Sequence, residues 1–250
     1  MSHVIQAREL TKRFGSVTAL DRVSFAFDGP GVIGILGPNG AGKSTLLDLL
    51  EGLSRPDSGE VLLFGEPIAR YPRHRVGVVL QREAALDTLT VGEYAELFAA
   101  IHRVRDGAAR ILATSRLDGR GRTPMARISG GELARLVVAT ALVHDPELVF
   151  LDEPTAALDP ANKRAMGELF RAIGRERTVV LTTHDLREAE AVCDQLIFLV
   201  DGSVRAAGPK HELVASVPED ARGGSELEAA FFHYCAVRMR DGEIEAEREA

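Results

Sequence analysis

Gly37-Pro38-Asn39-Gly40-Ala41-Gly42-Lys43-Ser44-Thr45 is the densest concentration of chemistry in the chain. Its pattern, G-x-x-x-x-G-K-[ST], is that of a loop that cradles phosphate groups. Glycines serve where a backbone turns tightly and aims successive N–H groups at phosphate oxygens, because a Cβ would intrude. The apolar run Val32-Ile33-Gly34-Ile35-Leu36 leads in and a helical pattern from Ser44 leads out. The positive end of a helix therefore adds to the amides. In that setting Lys43 reaches the β- and γ-phosphates of a nucleotide, and the Ser44 hydroxyl joins the shell of a Mg²⁺ ion. The bland alternative is a glycine-rich turn with no ligand.

A second element points to the same chemistry. Leu148-Val149-Phe150-Leu151 runs straight into Asp152 and Glu153. A fully apolar strand is a buried one, and the carboxyl edge of a parallel sheet is where ligands bind. Asp152 is the expected metal-side carboxylate. Glu153 faces a different way and suits a base that polarises an attacking water. Alone, two acids at a strand end read equally well as surface charges; beside a phosphate loop they read as catalytic.

These groups need a scaffold. Apolar, β-branched runs of strand length fall at Val17–Phe27, Val32–Leu36, Val61–Phe64, Val76–Leu80, Leu148–Leu151, Val179–Thr182 and Leu196–Val200. Helical spacing marks Ser44–Leu53, Gly130–Val143, Ala161–Ile173 and Leu186–Val192. Strands alternating with helices predict parallel pairing through right-handed crossovers, hence an α/β fold. Between about Thr90 and Gly131 no strand interrupts. Glu93, Tyr94, Leu97, Phe98 and Ile101 make one amphipathic helix, Ala108–Ser115 a second, and Gly119–Pro124 a loop. That stretch reads as a helical lobe inserted into the core. Beyond Pro218 the chain breaks at Gly223-Gly224. A short helix with Leu227, Ala230, Phe231 and Tyr234 on one side follows, then an acidic, fraying end.

The 250 residues suit one large domain with a small inserted lobe. A net charge of −7 argues against a broad electrostatic grip on nucleic acid. No stretch approaches the ~20 apolar residues of a membrane helix, and no signal peptide is visible. Cys193 and Cys235 are too few for a disulfide framework and read as small buried apolar residues. No internal repeat is present.

In this order of motifs the sequence resembles the ATP-binding subunits of ABC transporters, from Phe14 to Gly208. Gln81 stands where that family has its Q-loop glutamine. Ile128-Ser129-Gly130-Gly131-Glu132 resembles the signature Leu-Ser-Gly-Gly-Gln. Ala156-Ala157-Leu158-Asp159 looks like the D-loop, and Thr182-Thr183-His184-Asp185 like the switch-histidine loop. Phe14 stands where an aromatic residue stacks on adenine; an aromatic in a strand is otherwise core. Ser129 can cap the helix that follows it, leaving outward N–H groups as a second anion cradle, which the family applies to the nucleotide of the opposite subunit. His184 can hydrogen-bond a γ-phosphate or a water, or pack as a structural histidine. Gln81 can offer its carbonyl to Mg²⁺, or be a solvated loop residue.

The resemblance implies a P-loop NTPase (RecA-like) core with an N-terminal antiparallel β portion and an inserted lobe at about 82–131. The ATPase domain would span 1–217 and a short helical tail 218–250. It implies Mg²⁺-dependent ATP hydrolysis in a head-to-tail dimer, with a membrane-spanning partner, a second ATP-binding subunit and no nucleic acid. ATP would touch Phe14, Gly37 through Thr45, Gln81, Ser129, Gly130, Gly131 and Asp159, with Mg²⁺ on Ser44, Gln81 and Asp152. Lys43, Glu153 and His184 would be catalytic. The compact lobe and short C-terminus look like the ATPases of ABC-2-type exporters, on the cytoplasmic face of a membrane. The alternatives are a soluble ABC ATPase acting on nucleic acid or ribosomes and a non-hydrolysing regulator.

Three departures from the family pattern stand out. Glu132 replaces the signature glutamine and adds a negative charge near a phosphate cradle. Leu133, Ala134 and Thr140 make the following helix more apolar, and the Gly119–Pro124 loop is unusual.

Overall fold

The structure, a computed structural model, describes residues 3–79, 88–218 and 225–235. Gln81, the Gly223-Gly224 break and the acidic end lie outside them.

Strand β3 (Gly31–Leu36) is buried at every residue, as an unbroken apolar run requires of a strand covered on both faces. It lies inside a six-stranded sheet. Around it stand β6 (Val76–Val79), β7 (Leu148–Asp152), β8 (Thr178–Thr182), β9 (Gln195–Val200) and β10 (Ser203–Pro209). Their order is β10-β9-β3-β8-β7-β6. All neighbours are parallel except the edge pair β9–β10. A second, antiparallel sheet comprises β1 (Ile5–Phe14), β2 (Val17–Phe27), β4 (Ser58–Leu63) and β5 (Glu66–Pro67), in the order β2-β1-β4-β5. This is the P-loop NTPase core with its N-terminal antiparallel portion.

The strands sort their side chains with period two. Leu148 and Phe150 face the cluster shared with the antiparallel sheet and with helix α1 (Lys43–Glu51). Val149 and Leu151 face the opposite cluster. There they meet α4 (Gly130–Leu142), α5 (Pro160–Gly174), α6 (Leu186–Val192), α7 (Lys210–Ala215) and α8 (Glu226–Cys235). Truncating Phe150 or Phe170, both fully buried, to alanine removes about 3–5 kcal/mol of stability.

The lobe has a core of its own, in which α2 (Val91–Ile101) and α3 (Gly107–Ser115) pack on Leu136, Ala139 and Val143. Helix α4 therefore serves two cores, since Val137, Val138 and Ala141 belong to the main one. Thr90 and Glu93 close a capping box at the start of α2. The Gly119–Pro124 loop is laced to that helix start: Val91 N–H donates to Thr123 O and Gly92 N–H to Gly121 O, each at 2.9 Å. Thr90 and Pro124 also form an antiparallel bridge.

Helix α1 stops two residues before the expected Leu53, because Gly52 takes a left-handed φ of 68° and closes the last carbonyls. Strands β1, β5 and β10 and helix α7 were not expected from apolar periodicity. Cys193 and Cys235 are buried, as expected, and burial pushes both thiols up, Cys235 to about 12.

Candidate active site

The loop between β3 and α1 admits no side chain at its tight points. At Gly37 a Cβ would meet the Leu199 carbonyl oxygen at 2.1 Å; at Gly42, with φ of +100°, it would meet that of Ala19 at 2.7 Å. The backbone is thus free to present its amides, which fits a phosphate chain. Lys43 is buried to 7% exposure, and its ammonium donates to the carbonyls of Gly37 at 2.8 Å and Pro38 at 3.0 Å. Burial lowers its pKa, while Glu153 and Asp152 pull it back up. A cavity of about 460 Å³ opens over the loop. Asn39, Gly40, Gly42, Lys43, Ser44 and Thr45 line it, with Glu153 from the end of β7, Val17–Ala19 of β2, and Asp201 and Gly202. Ala41 is buried beneath them.

The two acids part company at the strand end. Glu153 has a φ of 46°, a left-handed conformation that costs a non-glycine residue roughly 1–2 kcal/mol, and it lines the cavity whereas Asp152 does not. Thr182 ties both together: its hydroxyl donates to Asp152 Oδ1 at 2.6 Å and accepts from the Glu153 N–H at 2.9 Å. His184 Nδ1 stands 3.3 Å from Glu153 Oε1. Asp201 and Gly202 were not singled out in the sequence, although Asp201-Gly202 is a recognisable turn pair, and Thr182 was named there only as the first residue of the switch-histidine-like segment.

Phe14 is 56% exposed at the end of β1, opposite Val17 of the cavity wall, with the Lys12 ammonium 5.4 Å from its ring centroid. It is not a core residue.

Ser129, Gly130 and Gly131 lie apart from that cavity, whose lining includes none of them. Ser129 caps α4 and forms a capping box with Glu132. Asp159 caps α5, accepting from Ala161 N–H and Asn162 N–H at 3.0 Å each. The two helix starts touch: a Cβ on Gly131 would meet Asn162 Oδ1 at 2.0 Å. Signature-like and D-loop-like segments are therefore one surface. Beneath them Glu188 accepts from the hydroxyls of Thr155 at 2.7 Å and Thr183 at 2.6 Å, linking the D-loop-like segment to the His184 loop.

Ser44 and Asp152 offer hard oxygen donors beside the cradle, a set that suits a magnesium ion keeping water and phosphate oxygens. No described cluster of three or more His, Cys, Asp or Glu residues could hold a metal by itself. No described helix is long and apolar enough to cross a membrane.

The ABC transporter family model matches residues 20–156. The Nod factor export ATP-binding protein I of Burkholderia orbicola (strain AU 1054) is 38% identical over 221 residues, covering 85% of this chain and 73% of that protein. The solved structure of an ATP-binding subunit of an ABC transporter superposes with a TM-score of 0.78 at 26% identity, covering 92% of this chain and 99% of the other. A dimeric ATP-binding cassette in a post-hydrolysis state, bound to ADP and Pi, does so with a TM-score of 0.69 at 26% identity, covering 82% and 98%.

Proposed function

This chain belongs to the ABC transporter family as an ATP-binding subunit, and from that premise we propose that it is a Mg²⁺-dependent ATPase powering a separate membrane-spanning partner. The family hydrolyses ATP. The observation that carries the reading for this chain is the meeting of Lys43, Ser44 and Glu153 in one cavity, with His184 on Glu153.

The loop amides and Lys43 bind the β- and γ-phosphates, and Phe14 stacks on the adenine. Ser44, Asp152 and Gln81 would hold Mg²⁺, which would neutralise phosphate charge when bound. Glu153 accepts a proton from the attacking water, oriented by His184, whose other ring nitrogen is left for the γ-phosphate. Thr182 fixes the backbone between the two acids. Catalysis is then mainly positioning and charge stabilisation around the departing phosphoryl group.

Ser129, Gly130, Gly131 and Asp159 act on the nucleotide of a second copy in a head-to-tail dimer. ATP favours the closed dimer because it touches both subunits, and hydrolysis removes that differential contact. The export ATP-binding relatives and the compact lobe support export, on the cytoplasmic face of a membrane, over action on nucleic acid. The ATPase domain spans 1–217, with the lobe at about 82–131 and a tail at 218–250.

The test is phosphate release by the subunit, co-purified with a partner of about six ~20-residue apolar spans. Release that requires Mg²⁺, stops with EDTA and stops in Lys43→Ala is expected. Release unchanged in Lys43→Ala would overturn the reading.

A further inference from the structure

Two departures from the family pattern meet in space. Glu132 stands where the family's signature has glutamine, and Arg120 belongs to the unusual Gly119–Pro124 loop. The Arg120 guanidinium forms an ion pair with Glu132 Oε1. The other oxygen, Oε2, accepts from the Ser129 N–H at 2.9 Å and from its hydroxyl at 3.1 Å. A carboxylate thus sits one hydrogen bond from the hydroxyl that the proposed function turns toward the partner's γ-phosphate. Uncompensated, it would repel that phosphate at a helix end whose dipole otherwise attracts it.

Arg120 is held for this task. Its N–H donates to Leu117 O at 3.0 Å and its carbonyl accepts from Thr123 N–H at 2.8 Å. The loop around it is fastened to the start of α2 through Gly92 and Gly121, where a Cβ on Gly92 would meet the Gly121 oxygen at 2.9 Å. The Glu132 side chain is only 20% exposed and that of Arg120 40%, so solvent screens the pair less than a free surface pair. Arg135 also acts on Glu132 through its charge, but its Nε donates to the Ser115 carbonyl at 3.2 Å. Among the described residues Arg120 is the cation in ion-pair contact with Glu132.

We propose that Arg120 is a positioning residue for the signature segment: it neutralises Glu132, so that Ser129–Gly131 can receive the phosphate held by the Lys43 loop of a second subunit. A glutamine at 132 would need no such partner. The inference rests on the in-trans reading of Ser129 given above.

Neutralisation and mere stapling predict different signs. If Arg120 cancels charge, Arg120→Ala leaves the segment one unit too negative and Glu132→Gln leaves it one unit too positive. The ATP concentration for half-maximal hydrolysis should then rise roughly two- to fivefold in Arg120→Ala and fall by a similar factor in Glu132→Gln. The double variant should return close to the wild type, and Arg120→Lys should resemble it. The defect of Arg120→Ala should shrink as salt is raised, and ADP affinity of the isolated subunit should not move. If Arg120 only staples loop to helix, both single variants weaken ATP use and the double variant does not recover. That result, or an unchanged Arg120→Ala, would overturn the proposal. Ser129→Arg, run beside them, separates the two levels. Hydrolysis that survives Ser129→Arg removes the in-trans reading itself. Hydrolysis lost in Ser129→Arg, with both single variants shifted the same way, removes only the role of Arg120.

Discussion

His184 Nδ1 lies 3.3 Å from Glu153 Oε1, across 31 residues of sequence. The contact joins the loop after β8 to the end of β7. Glu153 is the less exposed of the two, its side chain at 19% against 56% for His184. The carboxylate is thus the deeper member of the pair and lines the cavity over the Lys43 loop, where the proposed function has it accept a proton from water.

Glu153→Gln tests that base. The amide keeps size and hydrogen bonding but removes the proton acceptor, so turnover should fall roughly 10²–10⁴-fold while ATP still binds. The variant should accumulate an ATP-bound dimer, visible as an earlier peak in size-exclusion chromatography. Phosphate release at the wild-type rate would remove Glu153 from the role.

Phe14 offers a cleaner separation now that its ring is known to be exposed. Phe14→Ala should weaken nucleotide affinity by an amount within the ~1–3 kcal/mol of base–aromatic stacking, and Phe14→Tyr or Phe14→Trp should retain it. The melting temperature without nucleotide should hardly change, because no core contact is lost. Calorimetric titration of all three variants checks this, and an alanine form that binds normally would exclude stacking.

Sequence periodicity made legible the strands buried on both faces, such as β3, β7 and β8, and also the half-buried β2, whose bounds Val17–Phe27 it matches. Strand β1 was missed because its alternation is broken: register shifts fall between Ala7 and Leu10 and again on either side of Lys12. Each irregularity flips the face to which later side chains point. Strand β10 sits at the sheet edge and carries no apolar run, yet its signal was present as turn chemistry. Asp201 and Gly202 have φ of 48° and 72°, the paired left-handed residues of a two-residue hairpin loop. In the site, the cradle and both acids could be read from type and spacing, and His184 from the family resemblance. The contacts Thr182–Asp152, Asn162–Gly131 and Arg120–Glu132 could not, because each depends on which loops the sheet brings together.

Glu51 predicts an unusual pH dependence. It is 3% exposed, its Oε1 has no hydrogen-bond partner among the described residues, and burial with Asp48 and Asp152 nearby pushes its carboxyl from 4.5 up to about 8. The folded chain therefore keeps a proton that the unfolded chain has released, and this contribution to stability is lost as pH rises from about 4.5 to 8. Glu51→Gln carries no such charge. Its melting temperature should pull ahead of the wild type by several degrees between pH 5 and pH 9, on the order of 1–3 kcal/mol. Parallel melting curves across that range would show that the carboxyl titrates normally.

The separation of Ser129 from the Lys43 cavity within one chain leads to a complementation experiment. Lys43→Ala spoils the site on its own subunit, whereas Ser129→Arg, bulky and blocking, spoils the site of its neighbour. A two-fold dimer repeats each contact, so a heterodimer of the two variants gathers both lesions at one composite site. The other site keeps an intact Lys43 loop facing an intact Ser129. Random pairing of equal amounts makes about half of the dimers mixed, each with one good site, so about a quarter of wild-type activity should return if the sites work independently. If they are strictly coupled, hydrolysis stays absent but the mixture should bind ATP at the single intact site. A mixture that binds no nucleotide, although cross-linking shows that heterodimers form, would count against the in-trans reading and mean that Ser129 serves its own subunit.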